Sequence, residues 1–396
     1  MLARIGTGFV SLFVLARGLG PADYGFVATV FAYASIAALL TDFGFSVQAL
    51  RDIGAEPERA GELIAACIRV KNLLVGIATV AAVITLSVLG LDPHLFWSSI
   101  LLYASIIVLS YGDLALVALR GIGRYDTETY AVVAGTVIFV AIVGGTALTW
   151  PDILPVATAL LGARIVQTLL SFLAVRRHIR LANCLYGPLL DIIGFAKSSS
   201  ALALDSVLTT VSAQLDVIFV SAILGLEAAG VYQVAGRVAG YFLLPAQVLA
   251  GVFLPKLAAE RGKGIWPPSP LKLRMQLEFS AVGALSAIGI LIISQFSVQM
   301  FGAQYDTPIF IWAGFAAFIF MRYFAATFGS VLIAENLTRY RILGQAVGLV
   351  FILLAMPIVL MTAGLLWAPW VMVGSATLTS IVYIVAMRLQ KKVASN

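Results

Sequence analysis

Long apolar runs and short polar connections alternate along the whole chain. The runs last about twenty residues, enough to cross a hydrocarbon core of roughly 30 Å as an α-helix. None shows the two-residue alternation of a membrane barrel strand. Loss of hydrophobicity, charge and Gly/Pro punctuation place six spans at 2–16, 26–49, 70–90, 96–118, 130–149 and 154–175. A second six follow at 196–223, 230–254, 276–295, 308–333, 342–363 and 369–387. The predicted fold is all-α and membrane-integral, with about twelve transmembrane helices in two six-helix lobes. The segment from Met1 to Ala16 has the charged start and apolar middle of a signal peptide, but further spans follow and no small-residue cleavage site precedes Arg17. It reads as a short first helix. The connection after span six carries Arg176, Arg177, His178 and Arg180 and divides the expected lobes into 1–180 and 181–396.

Composition agrees with lipid as the main solvent: 61% of residues are hydrophobic and 11% charged, against roughly 25% charged in soluble chains. The net charge of +6 would suggest nucleic acid in a soluble protein, but here the basic residues cluster beside apolar spans. Connections at 50–63, 119–129, 176–192, 255–275 and 334–341, with the tail after 387, hold seventeen Lys and Arg, whereas the alternate connections hold Arg17 alone. The positive-inside rule then places both termini in the cytoplasm. Cys67 and Cys184 both fall near that face, so no disulfide or cysteine-ligated metal is expected.

The chain also repeats itself. Leu19-Gly20-Pro21-Ala22-Asp23-Tyr24-Gly25, between spans one and two, is echoed by Leu224-Gly225-Leu226-Glu227-Ala228-Ala229-Gly230 between spans seven and eight. A shorter echo pairs Arg124-Tyr125, after span four, with Arg339-Tyr340, after span ten. Matching span numbers imply two six-helix halves in parallel orientation, an arrangement suited to a transporter.

The stretch from Ala16 to Gly25, with Leu40-Thr41-Asp42-Phe43-Gly44-Phe45 and Arg51-Asp52-Ile53, resembles the start of the polysaccharide-transport flippases. These belong to the multidrug, oligosaccharidyl-lipid and polysaccharide exporter superfamily. Further matches are Gln214-Leu215-Asp216-Val217-Ile218-Phe219, the run from Gly230 to Arg237, Leu254-Pro255-Lys256 and Phe301-Gly302-Ala303-Gln304-Tyr305, so the resemblance covers nearly the whole chain. It implies an O-antigen or exopolysaccharide repeat-unit flippase of the bacterial inner membrane. Two six-helix lobes would surround a central cavity, with an undecaprenyl-pyrophosphate-linked sugar as cargo. Family members usually carry more residues before the motif that begins at Arg17, so either a late start or a truncated first helix is expected here.

No cofactor, metal site, nucleic-acid contact or catalytic constellation is expected: His94 and His178 lie in connections on opposite faces. Binding therefore carries the functional argument. A charge at the bilayer centre costs a few kcal/mol on insertion scales, so a retained one normally faces a partner or a wet cavity. Arg164, Arg237 and Arg322, with Arg17 at a span end, are the candidate ligands for a pyrophosphate headgroup. Arginine presents a planar fork of donors that matches phosphate oxygens. The same residues would also serve as snorkelling or helix-pairing groups. Asp42, Asp113, Asp205 and Asp216 are the candidates for coupling to a proton or cation, or for simple pairing with arginines.

Tyr33, Tyr103, Tyr111, Tyr232 and Tyr241 could stack on sugars or pack helices. Trp97, Trp150, Trp367 and Trp370 read as interfacial belt residues. Alternating access by the two halves is the mechanism these features suggest, with partners in the bilayer, the lipid-linked oligosaccharide and other polysaccharide-assembly proteins. The alternatives are a cation-coupled multidrug exporter of the same superfamily, a membrane-embedded saccharide polymerase or ligase, and a nonenzymatic scaffold. An enzyme would want a sizeable outer loop, and the longest outer connection, 296–307, offers little room.

Overall fold

The computed structural model describes residues 2–42, 44–180, 192–260 and 269–394. Among these residues the chain forms fourteen α-helices and no strand. Eleven helical stretches are long and apolar enough to cross a membrane. Their outer faces would be untenable in water: on one helix Leu73, Ile77, Val80, Ile84 and Val88 all stand exposed, Val88 at 81%. Lipid tails cover such a stripe at no hydrophobic cost, and the chain is a multi-pass membrane protein. Cys67 is buried; Cys184 and part of the basic connections at 176–192 and 255–275 lie outside the described residues.

The chain divides into two compact units, Met1–Thr210 and Val211–Asn396. The first contains α1 (Leu2–Asp42), α2 (Phe45–Ala55), α3 (Ala60–Val88), α4 (Pro93–Gly121), α5 (Tyr125–Thr149), α6 (Ile153–Arg176) and the beginning of α7 (Ile192–Leu224). The second contains the end of α7 and then α8 (Leu226–Tyr241), α9 (Leu244–Ala259), α10 (Pro270–Ser294), α11 (Ser297–Phe301), α12 (Ile309–Ala334), α13 (Thr338–Thr362) and α14 (Ala368–Ala394).

Within unit one α4 is the hub, packed on α1, α2, α3 and α6, while α5 lies against α6. Within unit two α12 is the hub, packed on α8, α9, α10, α13 and α14, while α13 lies against α14. The hubs are the fourth and tenth predicted spans, so the packing repeats where the sequence does. Close approach is built in at α13 and α14, where Ser375 Oγ donates to the Gly348 carbonyl at 2.9 Å and Thr379 Oγ1 to that of Gly344 at 3.2 Å. A methyl group on Gly348 would meet Thr379 Oγ1 at 2.5 Å, so only glycine admits this contact.

The expected span 2–16 and most of 26–49 belong to one helix, α1, interrupted at Gly20, while the last residues of the second span start α2; the single-residue break at Gly20 separates a count of eleven from twelve. Gly20 takes φ 78° and ψ 173°; Gly225, its counterpart in the repeat, takes φ 91° and ψ 173° between α7 and α8. This region of backbone space is essentially restricted to glycine. The shorter echo fares differently. The turn that ends α4 puts Gly123 in the left-handed region and closes with Arg124 N–H on the Leu119 carbonyl, 2.8 Å. The turn that ends α12 does the same with Asn336, and Leu337 N–H reaches the Leu332 carbonyl at 2.7 Å. With Gly123 matched to Asn336, Arg124-Tyr125 and Arg339-Tyr340 are two residues out of register, and their likeness is coincidental.

Two further features depart from the hydropathy boundaries. The connection expected at 50–63 is mostly helical, in α2 and the start of α3. The span expected at 230–254 is broken at Phe242 and Leu243, between α8 and α9.

Candidate functional site

Polar side chains inside unit one gather where α1, α3, α4, α5 and α6 meet. Lys71, about 17 Å along α3 from Ala60 at 1.5 Å per residue, has a fully buried side chain. Its Nζ lies 3.3 Å from Asp42 Oδ1 at the end of α1 and donates to the Ser110 carbonyl of α4 at 3.2 Å. It also sits over the Tyr111 ring, 5.4 Å from the centroid. Tyr111 is fixed by its own hydroxyl, which donates to Asn72 Oδ1 at 2.7 Å. Ser46 Oγ donates to Asp42 Oδ1 at 2.8 Å.

Arg164 projects from α6 beside this group. Its guanidinium lies 4.1 Å from the centre of the Phe139 ring on α5 and donates to Gln167 Oε1 at 2.7 Å. Both contacts are with neutral groups. Asp113 on α4 lies within electrostatic range of both Arg164 and Lys71. The helices can converge here because α4 and α6 pack tightly: Thr168 Oγ1 donates to the Val108 carbonyl at 2.9 Å, and Gly112 leaves no room for a side chain against Thr168.

Unit two has a separate pair. Asp216 on α7 is buried, accepts from the Tyr232 hydroxyl at 3.0 Å, and interacts electrostatically with Arg237 on α8. The Tyr232 ring packs on Phe315 at 5.1 Å and is fully buried, which makes it a packing residue. Asp205 on α7 and Arg322 on α12 are partly buried. Arg17 is exposed and lies over Phe13, 5.8 Å from the ring centroid. Among the expected sites, then, Arg164 keeps company with Asp113, Asp42 with Lys71, Arg237 with Asp216, and Arg17 stands at the surface.

Lys71 and Asn72 are absent from the sequence expectations because the hydropathy edge falls at residue 70, which assigns both to the membrane boundary. The helical pattern running back to Ala60 is the signal that would have moved that edge. A second omission is Lys272, counted with the loop charges. Its Nζ pairs with Glu335 Oε1 at 3.3 Å, both side chains nearly buried, and ties the start of α10 to the end of α12.

A family model described as polysaccharide biosynthesis protein matches residues 1–258. No curated protein sequence matches the chain. Among solved structures, the inward-facing conformation of a multidrug resistance MATE family transporter of the MOP superfamily matches with a TM-score of 0.66 at 17% identity, covering 98% of this chain and 94% of that one. Its outward-facing counterpart gives 0.61 at 18% identity over 98% and 93% of the two chains. A MOP superfamily transporter from Pyrococcus furiosus, whose reverse polarity of the binding pocket suggests a different function, gives 0.61 at 17% identity over 99% and 92%. At such identities the likeness is one of fold. With two thirds of its length matched by the family model, the chain belongs to the polysaccharide biosynthesis protein family and is built on the fold of MOP superfamily transporters.

Proposed function

We propose that the protein is a flippase that carries an undecaprenyl-pyrophosphate-linked oligosaccharide, an O-antigen or exopolysaccharide repeat unit, from the cytoplasmic to the outer leaflet of a bacterial inner membrane. The observation that carries this reading is Arg164. Its guanidinium is held within an apolar span by a neutral amide and an aromatic ring, so its orientation is fixed while its charge remains available. A pyrophosphate would stand as a second anion on Arg164, beside Asp113. Arg237 and Arg322 are further headgroup ligands, with Arg17 meeting cargo at a membrane surface. The lipid tail stays in the bilayer while the units alternate access. The role is transport without covalent chemistry. Asp113, beside Arg164, is the leading carboxylate for coupling to a cation or proton, ahead of Asp205 and Asp216, while Asp42 is paired with Lys71.

The multidrug resistance transporter among the structural matches supports a second reading, export of cationic drugs. The Pyrococcus furiosus structure supports the first, because it indicates that pockets of opposite polarity occur on this fold. Complementation of a polysaccharide-export mutant separates the two. The wild-type chain restores surface glycan, and stably inserted Arg164→Ala loses it while lipid-linked units accumulate facing the cytoplasm. Failure of wild type in several such hosts, with protection against cationic drugs, would establish the drug-export reading.

A further inference from the structure

Lys71 is arranged as a bound ion is arranged. Its Nζ has a carboxylate oxygen of Asp42 at 3.3 Å, a main-chain carbonyl of Ser110 at 3.2 Å and the face of Tyr111 on a third side. A carboxylate, a carbonyl and a π face around one positive centre are the donor set that suits a small monovalent cation. The surrounding groups are themselves braced: Ser46 Oγ holds Asp42 Oδ1 at 2.8 Å, and Asn72 Oδ1 holds the Tyr111 hydroxyl at 2.7 Å. The four-carbon stem that delivers the ammonium is fully buried, so the charge reaches this place along a covalent tether. With their braces, the groups come from four separate helices, α1, α2, α3 and α4. Asp113 and Cys67 are the other titratable groups acting on Lys71.

We infer that Asp42, the Ser110 carbonyl and the Tyr111 ring form a monovalent-cation site whose resident occupant is the ammonium of Lys71. Unit one thereby carries its own counter-cation at the end of α1 and takes none from solution there. Shortening Lys71 converts the same groups into a site for Na+, K+ or a small alkylammonium ion. This inference is independent of what the protein carries, and its test measures no transport.

The test is the melting temperature of the purified full-length protein in detergent, in NaCl, KCl, methylammonium chloride or choline chloride of equal ionic strength. Choline is too large for the site and controls for screening. Wild type melts at the same temperature in all four. Lys71→Ala melts about 5 °C higher in at least one small-cation salt than in choline, and Lys71→Ala/Asp42→Asn loses that difference. No selective stabilisation of Lys71→Ala overturns the inference. So does a wild type selectively stabilised by Na+ in a manner that Asp42→Asn abolishes, because Asp42 would then already take a soluble ion. Should Lys71→Ala fail to accumulate in membranes while the double variant accumulates, the inference also falls, since cellular K+ would have filled a competent site.

Discussion

Gly20 and Gly225 hold the same backbone conformation, φ 78° and ψ 173° against φ 91° and ψ 173°, at corresponding places in the two units. Each breaks a helical path in one residue after a leucine, and no side chain is well accommodated at those angles. Gly20→Ala and Gly225→Ala are each expected to destabilise the folded protein by about 1–3 kcal/mol. The two losses should add in the double variant because the sites belong to separate units. Thermal unfolding in detergent reads both, and an unchanged midpoint in either single variant contradicts the requirement for glycine at that position.

The break between α8 and α9 is completed by a side chain from elsewhere in unit two. Tyr323, fully buried on α12, donates its hydroxyl to the Phe242 carbonyl at 2.8 Å, and Ser286 Oγ lies 3.4 Å from the same hydroxyl. A carbonyl freed by a helix break in lipid needs such a donor. Tyr323→Phe keeps the ring and removes the donor, and should cost about 1–3 kcal/mol. Loss of protection at the α8–α9 junction in hydrogen exchange, with α13 and α14 unaffected, is the pattern expected.

Lys272 and Glu335 behave as a buried pair. Removing one charge leaves the other unpaired, which costs roughly 3–5 kcal/mol, whereas replacing both by apolar groups is often neutral. Lys272→Met and Glu335→Leu should therefore each destabilise strongly, and the double variant should recover most of the loss. A double-mutant cycle showing simple additivity would mean that the 3.3 Å contact carries no coupling.

The seam between α13 and α14 is expected to be intolerant of volume. Gly348→Val would drive a side chain into Thr379 and Ser375 and should lower membrane accumulation, while Ser375→Ala, which removes one hydrogen bond to the Gly348 carbonyl, should cost only about 1 kcal/mol.

Much of this architecture is legible in the chain because lipid imposes a strict rule: backbone groups must be paired within helices, so apolar length alone marks a span. The repeat is legible where a glycine is required by φ, as at Gly20 and Gly225, and misleading where it rests on Arg124-Tyr125, whose side chains no turn geometry demands. Helix ends are less legible. Hydropathy marks where the chain leaves the hydrocarbon, whereas a helix ends where its terminal groups find caps, so α3 starts ten residues before the expected span at residue 70. That difference conceals Lys71. The break after Tyr241 is signalled only by Pro245, and the carbonyl it frees is satisfied by Tyr323, eighty-one residues away from Phe242, a pairing that periodicity cannot report. Arg164 and Asp113 are visible as charges in apolar spans, but their association depends on the packing of α4 on α6.

On the proposed reading, the protein moves a lipid-linked polyanion and Arg164 engages it. Transbilayer movement of an undecaprenyl-pyrophosphate-linked oligosaccharide in proteoliposomes tests it most directly, with wild type, Arg164→Lys and Arg164→Ala at matched protein levels. The expected result is transport by wild type, partial activity for Arg164→Lys, which keeps the charge and loses the planar fork, and at least roughly tenfold slower transport for Arg164→Ala, equivalent to about 1.4 kcal/mol. Transport by Arg164→Ala at the wild-type rate would remove Arg164 from the site, and no movement of this cargo by wild type would contradict the flippase reading itself.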